Sequence, residues 1–394
     1  MKDPLISIVV PAYNYARFLG DCIGGVLSQT YQNWELLVVD NGSTDETPEV
    51  LARFTDPRIR KFRIEENRGS VQAWKLGYEE SRGDYFAILP ADDMFLPEKL
   101  QRQVECLRAN PGVGAVGTYI QEINDDGTVC NEGSWIVPYI NQHIDFDDLK
   151  NWRWRHYLCI PTAIYSRELC DKAGAVPSDG MTNICDWDFH IRLLGIGTKM
   201  AVIPEVLTSY RWHGSNTSKK RGDAFLQWTF SHAKNYVPII RRIAPDPRKE
   251  IQECVYSLYL SPAENYFVEN VPRNQLCAML EALLDPEGGL DTFPDYETFR
   301  HYAETWTVDS DNRAALAAVV EVLTSLRERL LASTVPPARP DSRQVFPLEL
   351  RSSELERVAE MVPPDSCKWA LMHAARMLGR KVRRVIRAAA GGGD

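Results

Sequence analysis

The sequence predicts an α/β fold: a mostly parallel sheet sandwiched by helices, followed by a mainly α-helical C-terminal region. Two observations carry this expectation. Short runs rich in β-branched and apolar residues (Leu5–Val10, Glu35–Val39, Ile59–Ile64, Tyr85–Leu89) alternate with helix-length segments over the first hundred residues, as right-handed parallel units require. From about Gly222 onwards the strand signals fade and helical ones take over.

At 394 residues the chain exceeds one usual domain. With 44% hydrophobic and 25% charged residues it reads as an ordinary globular protein. A formal charge of −9 argues against a nucleic-acid binder, which needs a basic face. The nine cysteines show no Cys-x-x-Cys spacing, which suggests reduced thiols and a cytoplasmic setting. Leu5–Val10 is too short for a signal peptide, and no window approaches the ~20 apolar residues of a membrane span.

The elements follow in order. The first strand ends at Pro11-Ala12-Tyr13-Asn14, where Pro11 closes it and Asn14 caps a helix from about Arg17 to Leu27. The second strand ends in Asp40, and Asn41-Gly42-Ser43-Thr44-Asp45 turns into a helix from Glu46 to Phe54. The third strand leads through Asn67-Arg68-Gly69 into a helix reaching about Ser81. The fourth runs into Pro90-Ala91-Asp92-Asp93, with Pro97 placed to start the next helix. Ligands of open parallel sheets bind beyond the carboxyl ends of the strands, so Asp40, Asp92 and Asp93 should lie at a site mouth. Adjacent carboxylates repel there unless a cation or proton intervenes, and Mg²⁺ or Mn²⁺ is a natural cation. The plainer alternative for the pair is a helix cap or a solvated turn, and for Asp40 a turn-forming role. No Gly-x-Gly-x-x-Gly follows the first strand and no Walker-type motif occurs, so neither a dinucleotide fold nor a P-loop is supported.

Further on, Val113–Tyr119 predicts a fifth strand, Asp125-Asp126-Gly127-Thr128 a hairpin turn, Ile160–Tyr165 an interior strand and Thr198–Ile203 another short strand. Trp135, Tyr139, Trp152, Trp154, His156 and Tyr157 gather in a stretch without clear periodicity, either as a sugar-stacking acceptor loop or as a packed aromatic cluster. Cys185–Leu194 predicts an amphipathic helix with an acidic start.

Four segments in order, Ile8-Val9-Val10-Pro11-Ala12-Tyr13-Asn14, Val38-Val39-Asp40-Asn41-Gly42-Ser43-Thr44-Asp45, Asn67-Arg68-Gly69 and Ala91-Asp92-Asp93, resemble the family 2 glycosyltransferases. The resemblance covers roughly the first 220 residues. It implies a GT-A fold, an inverting transfer from a nucleotide-diphosphate-sugar donor, and a divalent metal. It puts Tyr13 and Asp40 around the base and ribose, and Asp92/Asp93 near the metal and pyrophosphate. With Pro11, Ala12, Lys75 and Ala91, these residues make up the candidate donor site. Tyr210-Arg211-Trp212-His213 resembles the family's closing Tyr-Arg-x-His segment, which makes His213 a third candidate contact to metal or diphosphate beside Asp92 and Asp93.

In the family a Glu-Asp pair opens the acidic-start helix, with an Arg six residues past the Asp. Asp186 keeps that spacing to Arg192 and is the candidate general base, with Asp188 as fallback and Trp187 bordering the acceptor. Three departures stand out. Pro90 replaces the first acid of the family's Asp-x-Asp-Asp, Ala73-Trp74-Lys75 replaces Ala-Arg-Asn, and Cys185 replaces the Glu. Lys75 either supplies the lost positive charge towards phosphate or is solvated.

The resemblance puts a catalytic domain over 1–220, and helical signals with Pro-rich breaks, the clearest at Val335–Pro340, set off a helical domain over 221–340 and C-terminal helices over 341–394. Helices are expected at Ala224–Ile243, Lys249–Tyr259, Arg273–Leu284, Thr298–Thr305 and Ala314–Ala332. Lys368–Arg387 carries seven Lys/Arg and no acid at helical spacing. It reads as a basic amphipathic helix for a membrane surface, or one docked on the acidic body or a second subunit. The expected function is metal-dependent (Mn²⁺ or Mg²⁺) transfer of a sugar, with a UDP-sugar favoured, to a glycan, lipid-linked or protein acceptor in surface polysaccharide or glycoconjugate synthesis. The setting is cytoplasmic and peripheral at the membrane, with self-association open. The alternatives are a sugar nucleotidyltransferase and a catalytically impaired family member that acts as a binding or scaffold protein.

Overall fold

The structure, a computed structural model, describes residues 3–134, 136–142, 158–174, 185–214 and 216, then 227, 230–243, 296–305 and single positions at 275, 307 and 317. The chain divides into two compact units, Met1–Gly222 and Asp223–Asp394.

The first unit is built on an eight-stranded sheet. Its strands are β1 (Ile6–Ala12), β2 (Trp34–Asn41), β3 (Ile59–Ile64), β4 (Tyr85–Ile88), β5 (Met94–Phe95), β6 (Val113–Ile123), β7 (Ile164–Ser166) and β8 (Lys199–Arg211), and their spatial order is β3-β2-β1-β4-β7-β6-β8-β5. The first four are parallel, β1 lying between β2 and β4. Every residue of β2 and nearly every residue of β1 is buried, as expected of strands covered on both faces. Ile8, Val10, Leu36, Val38, Ala87 and Leu89 meet Leu19, Ile23 and Val26 of helix α1 (Ala16–Leu27) on one side. On the other side lie helix α3 (Ser70–Glu80) and an aromatic cluster, with Trp74 edge-on to Phe189 at 5.6 Å and Tyr78 edge-on to Phe86 at 4.8 Å. Helix α2 (Thr47–Ala52) connects β2 to β3, and α4 (Lys99–Ala109) precedes β6. Helices α5 (Ile136–Ile140) and α6 (Arg167–Lys172) are short, and α7 (Cys185–Gly195) carries Phe189 into the aromatic cluster.

Several expectations are corrected. Pro11 does not end β1, because the strand continues to Ala12 with Pro11 in register with Val39. Val9 gives its carbonyl to Leu89 on the β4 side. The missing N–H two residues later therefore points where the ladder to β4, which ends at Val9↔Ile88, has already stopped. Asn14 does not cap α1. It adopts a left-handed backbone (φ 56) and its Oδ1 accepts the Thr44 N–H, while the Asp45 carboxylate takes the N–H of Ala16 at the start of α1. Ile160–Tyr165 is not one strand. A 3₁₀ turn spans Ile160–Thr162, with Pro161 in its first turn, and the short β7 follows. β7 pairs antiparallel to both β4 and β6, which makes the sheet mixed. β8 is far longer than expected, running parallel to the whole of β6 with register shifts near Thr118 and Tyr119 that pass over Pro204 and Glu205. The hairpin turn forms, with Gly127 donating to Asn124 and Ile123 bridging Val129.

In the second unit the described elements are a five-residue π-helical turn His232–Tyr236, a helix Val237–Ile243 and a helix Tyr296–Thr305. The Phe230 ring meets Tyr296 at 5.8 Å and Phe299 at 5.9 Å. The aromatics Trp135, Trp152, Trp154, His156 and Tyr157 and the basic helix Lys368–Arg387 lie outside the described residues. So do the expected helix Lys249–Tyr259 and, apart from single positions, the helices Arg273–Leu284 and Ala314–Ala332.

Candidate active site

The site begins where β1, β2 and β4 end together. Register pairs Ala12 with Asp40, and β4 runs out into Pro90-Ala91-Asp92-Asp93. Strand order reverses about β1 here, the kind of crevice in which open α/β sheets bind ligands. Asp40 is buried. Its Oδ1 accepts the Ser43 N–H at 3.0 Å, and its Oδ2 is paired with Arg63, its register partner on β3. Asn41 ties this strand end to the Asn67-Arg68-Gly69 turn: its amide donates to Asn67 Oδ1 at 2.9 Å and to the Gly69 carbonyl at 3.0 Å. Gly42 (φ 74) leaves no room for a side chain, since a Cβ would lie 2.7 Å from the Asn67 nitrogen. Tyr13 is exposed beyond β1, whereas Ala12 and Ala91 are buried and Pro11 is half-buried. Lys75 lies half-buried on α3 with no ion-pair partner among the described residues.

The two central carboxylates have different partners. Asp92 Oδ2 lies 2.9 Å from His213 Nε2, joining residues 121 apart in sequence. Asp93 is 2% exposed and its Oδ1 accepts the backbone N–H of Arg211 at 2.8 Å. Burial and the neighbouring Asp92 charge push the Asp93 carboxyl well above its usual range, while Arg211 opposes the shift. Burial and the Asp92 charge likewise raise the hydroxyl of Tyr15, whose ring meets His213 edge-on at 5.9 Å. The His213 ring also packs against Phe18 at 5.0 Å.

Arg211 was not singled out from the sequence. Its side chain is fully buried, with Nε donating to the Asp92 carbonyl at 2.9 Å and Nη2 to Asp21 Oδ2 at 2.9 Å. Nη1 donates to the carbonyls of Asn124 at 2.7 Å and Asp125 at 2.9 Å. The one signal available to sequence reasoning was its place two residues before His213.

On α7, Asp186 is half-buried at the first turn, and its Oδ1 accepts the Trp187 N–H at 2.8 Å. Asp188 is fully buried and paired with Arg192 at 3.1 Å, so Arg192 serves the second acid of the helix. Trp187 is 3% exposed. The charges of Asp93 and Asp186 both act on the Cys159 thiol, which burial in the first place raises.

A carboxylate and an imidazole meet here, one oxygen and one nitrogen donor that a divalent cation could use together with substrate phosphates. No group of three His, Cys, Asp or Glu side chains placed to hold a metal occurs among the described residues. No described helix is long and apolar enough to cross a membrane.

The mixed sheet with flanking helices has the GT-A architecture. Residues 7–174 match the family model described as glycosyl transferase family 2. It is 28% identical over 232 residues to an uncharacterized glycosyltransferase of Nostoc sp., covering 56% of this chain and 68% of that one. It is 34% identical over 138 residues to the Escherichia coli UDP-Glc:alpha-D-GlcNAc-diphosphoundecaprenol beta-1,3-glucosyltransferase WfgD, covering 35% and 53%. Two other curated relatives, from Haemophilus influenzae and Streptococcus pneumoniae, are spanned over 48% and 42% of their length. The fold is shared with S. aureus TarS 1–349 in complex with UDP-GlcNAc, at a TM-score of 0.60 and 12% identity over 84% of this chain and 92% of that one.

Proposed function

We propose that the chain is an inverting glycosyltransferase that moves a sugar from a nucleotide-diphosphate-sugar, with UDP favoured, to a hydroxyl acceptor. The acceptor is a glycan, lipid-linked or protein hydroxyl in surface polysaccharide or glycoconjugate synthesis. The observation that carries the reading is the meeting of Asp92 and His213 at the end of β4, level with the buried Asp40. The similar proteins support the donor class, since the E. coli relative WfgD is a UDP-Glc glucosyltransferase and TarS is seen in complex with UDP-GlcNAc.

In this reading Asp40 receives the base or ribose and Tyr13 flanks it, with Pro11, Ala12 and Ala91 forming the wall and Lys75 directed to phosphate. Asp92 and His213 would hold Mn²⁺ or Mg²⁺, with Asp93 behind them, and the ion would offset charge on the departing diphosphate. Asp186 takes the proton of the acceptor hydroxyl as its oxygen bonds to the anomeric carbon. The bond to the diphosphate breaks with its electron pair leaving on the diphosphate, and a single displacement turns an α-linked donor into a β product. What supports Asp186 over Asp188 is accessibility: Asp188 is fully buried and neutralised by Arg192. Trp187 remains the proposed border of the acceptor. A cytoplasmic location at the inner membrane face, through the basic C-terminal helix, and self-association belong to the same proposal.

The test is a panel of nucleotide sugars assayed for donor turnover with and without Mn²⁺, on the wild type and Asp186→Asn. One donor should be turned over only with metal. Asp186→Asn should lose on the order of 10²–10⁴-fold in transfer, the usual worth of a positioned base, while donor affinity is kept. A trapped glycosyl-enzyme, or an Asp186→Asn protein of wild-type rate, would overturn the mechanism.

A further inference from the structure

The two groups proposed to hold the metal come from distant parts of the chain. Asp92 sits in the turn after β4 and His213 just past the end of β8, so their separation depends on something that grips both segments. The most densely bonded side chain between them is a buried cation that no step of the transfer uses.

We infer that Arg211 is a positioning residue that sets the distance and orientation of Asp92 relative to His213, and that Asn216 completes this clamp. On one side, Nε of Arg211 holds the Asp92 carbonyl at 2.9 Å and its backbone N–H holds the Asp93 carboxylate at 2.8 Å, so both ends of the Asp-Asp pair are fixed by one residue. On the other side, the Arg211 carbonyl accepts from Asn216 Nδ2 at 2.9 Å, and Asn216 Oδ1 accepts the His213 N–H at 2.6 Å. The backbone of His213 is thereby locked to that of Arg211 across a tight turn.

The remaining donors anchor the clamp to the fold. Nη1 satisfies the carbonyls of Asn124 and Asp125 in the hairpin turn after β6, and Nη2 reaches Asp21 on α1. The guanidinium also stands 4.6 Å over the Phe18 ring, the same ring that packs on His213. A planar fork with five donors can serve these directions at once, and a lysine ammonium cannot reproduce them. Asp21 is the only acid that its guanidinium pairs with among the described residues, at 53% exposure. The charge is therefore balanced at the surface end, and the buried end works through carbonyl dipoles. Groups behind metal ligands act this way, and altering them typically costs about 10–100-fold in metal affinity.

The inference rests on Asp92 and His213 being the metal-diphosphate end of the donor site, and it is tested by binding. Free Mn²⁺ would be counted by electron paramagnetic resonance during titration of the full-length protein in the presence of UDP. The variants are Arg211→Lys, which keeps the charge, and Asn216→Ala, which removes only the bridge to His213 and disturbs no ion pair. Both should need roughly tenfold more Mn²⁺ to half-saturate, with circular dichroism unchanged and Mn²⁺ saturation reached at high concentration. Wild-type Mn²⁺ affinity in both variants, or a fall in melting temperature with the Mn²⁺ curve unmoved, overturns the inference. Donor turnover is read on the same samples. Absence of turnover with the Mn²⁺ shifts intact would sink the transferase reading and leave the clamp standing.

Discussion

Lys99 lies fully buried at the start of α4, where Nζ donates to Gln103 Oε1 at 2.9 Å and to the Thr162 carbonyl at 2.8 Å, and stands 4.5 Å over the Phe95 ring. None of these partners is an acid, and burial pushes the amine well below its ordinary range. The folded chain therefore binds fewer protons at this site than the unfolded chain. The stability due to this group accordingly rises with pH between the depressed folded value and the unfolded value of about 10.4, and is flat beyond. Lys99→Met should flatten that dependence. The melting temperature of wild type minus that of Lys99→Met, measured from pH 6 to pH 9.5, should increase with pH, and a difference constant across that range would show that the amine is not depressed. Nothing near Lys99 in the sequence announces its burial. It follows Pro97-Glu98 like any polar residue of a first turn, and what covers it is a turn 63 residues further along. The place of Asp92 just past the end of β4 was legible from the apolar run before it, and that of Asp186 in the first turn of α7 from the acidic start of that helix. The place of Arg211 was not, because its partners Asp21, Asp92, Asp93, Asn124, Asp125 and Asn216 lie in four separate segments.

Helix α1 shows how packing decides between neighbouring identical residues. A Cβ on Gly24 would meet nothing within 4 Å, whereas a Cβ on Gly25 would lie 2.8 Å from the Phe95 carbonyl oxygen of β5. Backbone cannot step aside as a side-chain tip can. Gly24→Ala should therefore stabilise by about 0.5–1 kcal/mol, the helix preference for alanine over glycine. Gly25→Ala should instead destabilise by about 1–3 kcal/mol, as overpacking does. Denaturant midpoints of the two variants, moving in opposite directions, are the check. The position of α1 was legible to within a residue from its apolar spacing, but the close approach of Gly25 to β5 was not, since Met94–Phe95 is too short to announce a strand. The same reasoning applies to β8. Pro204 hides the continuity of a thirteen-residue strand whose pairing with β6 shifts where Pro204 and Glu205 are passed over and then runs on to Arg211. A reading of local runs stops there and loses the element that carries Arg211 to the site.

At the scale of the whole first unit, the parallel half β3-β2-β1-β4 supplies Asp40, Asp92 and Asp93, and the other half supplies His213 from the end of β8. The parallel half was legible because each strand closes locally with its own helix. The mixed half was not, because β7 pairs with β4 and β6 over only a few residues and its direction is set by contacts distant in sequence. Assembly from two halves has a consequence for ligand binding. With Asp93 turned to the backbone of Arg211, the proposed site would offer a divalent ion the Asp92 carboxylate and the His213 imidazole that is hydrogen-bonded to it. That set is short of the six ligands Mg²⁺ or Mn²⁺ prefers, and diphosphate oxygens of the donor are the natural completion. Metal and nucleotide should then bind cooperatively, and linkage requires the coupling to be reciprocal. Mn²⁺ should bind weakly to the free protein and roughly 5–150-fold more tightly with UDP present, the common span of such couplings. UDP should gain the same factor from saturating Mn²⁺. Calorimetric titration in both orders measures both factors. Unequal factors would indicate that Mn–UDP forms in solution and binds as a unit, and tight Mn²⁺ binding by the free protein would mean that ligands beyond Asp92 and His213 complete the site.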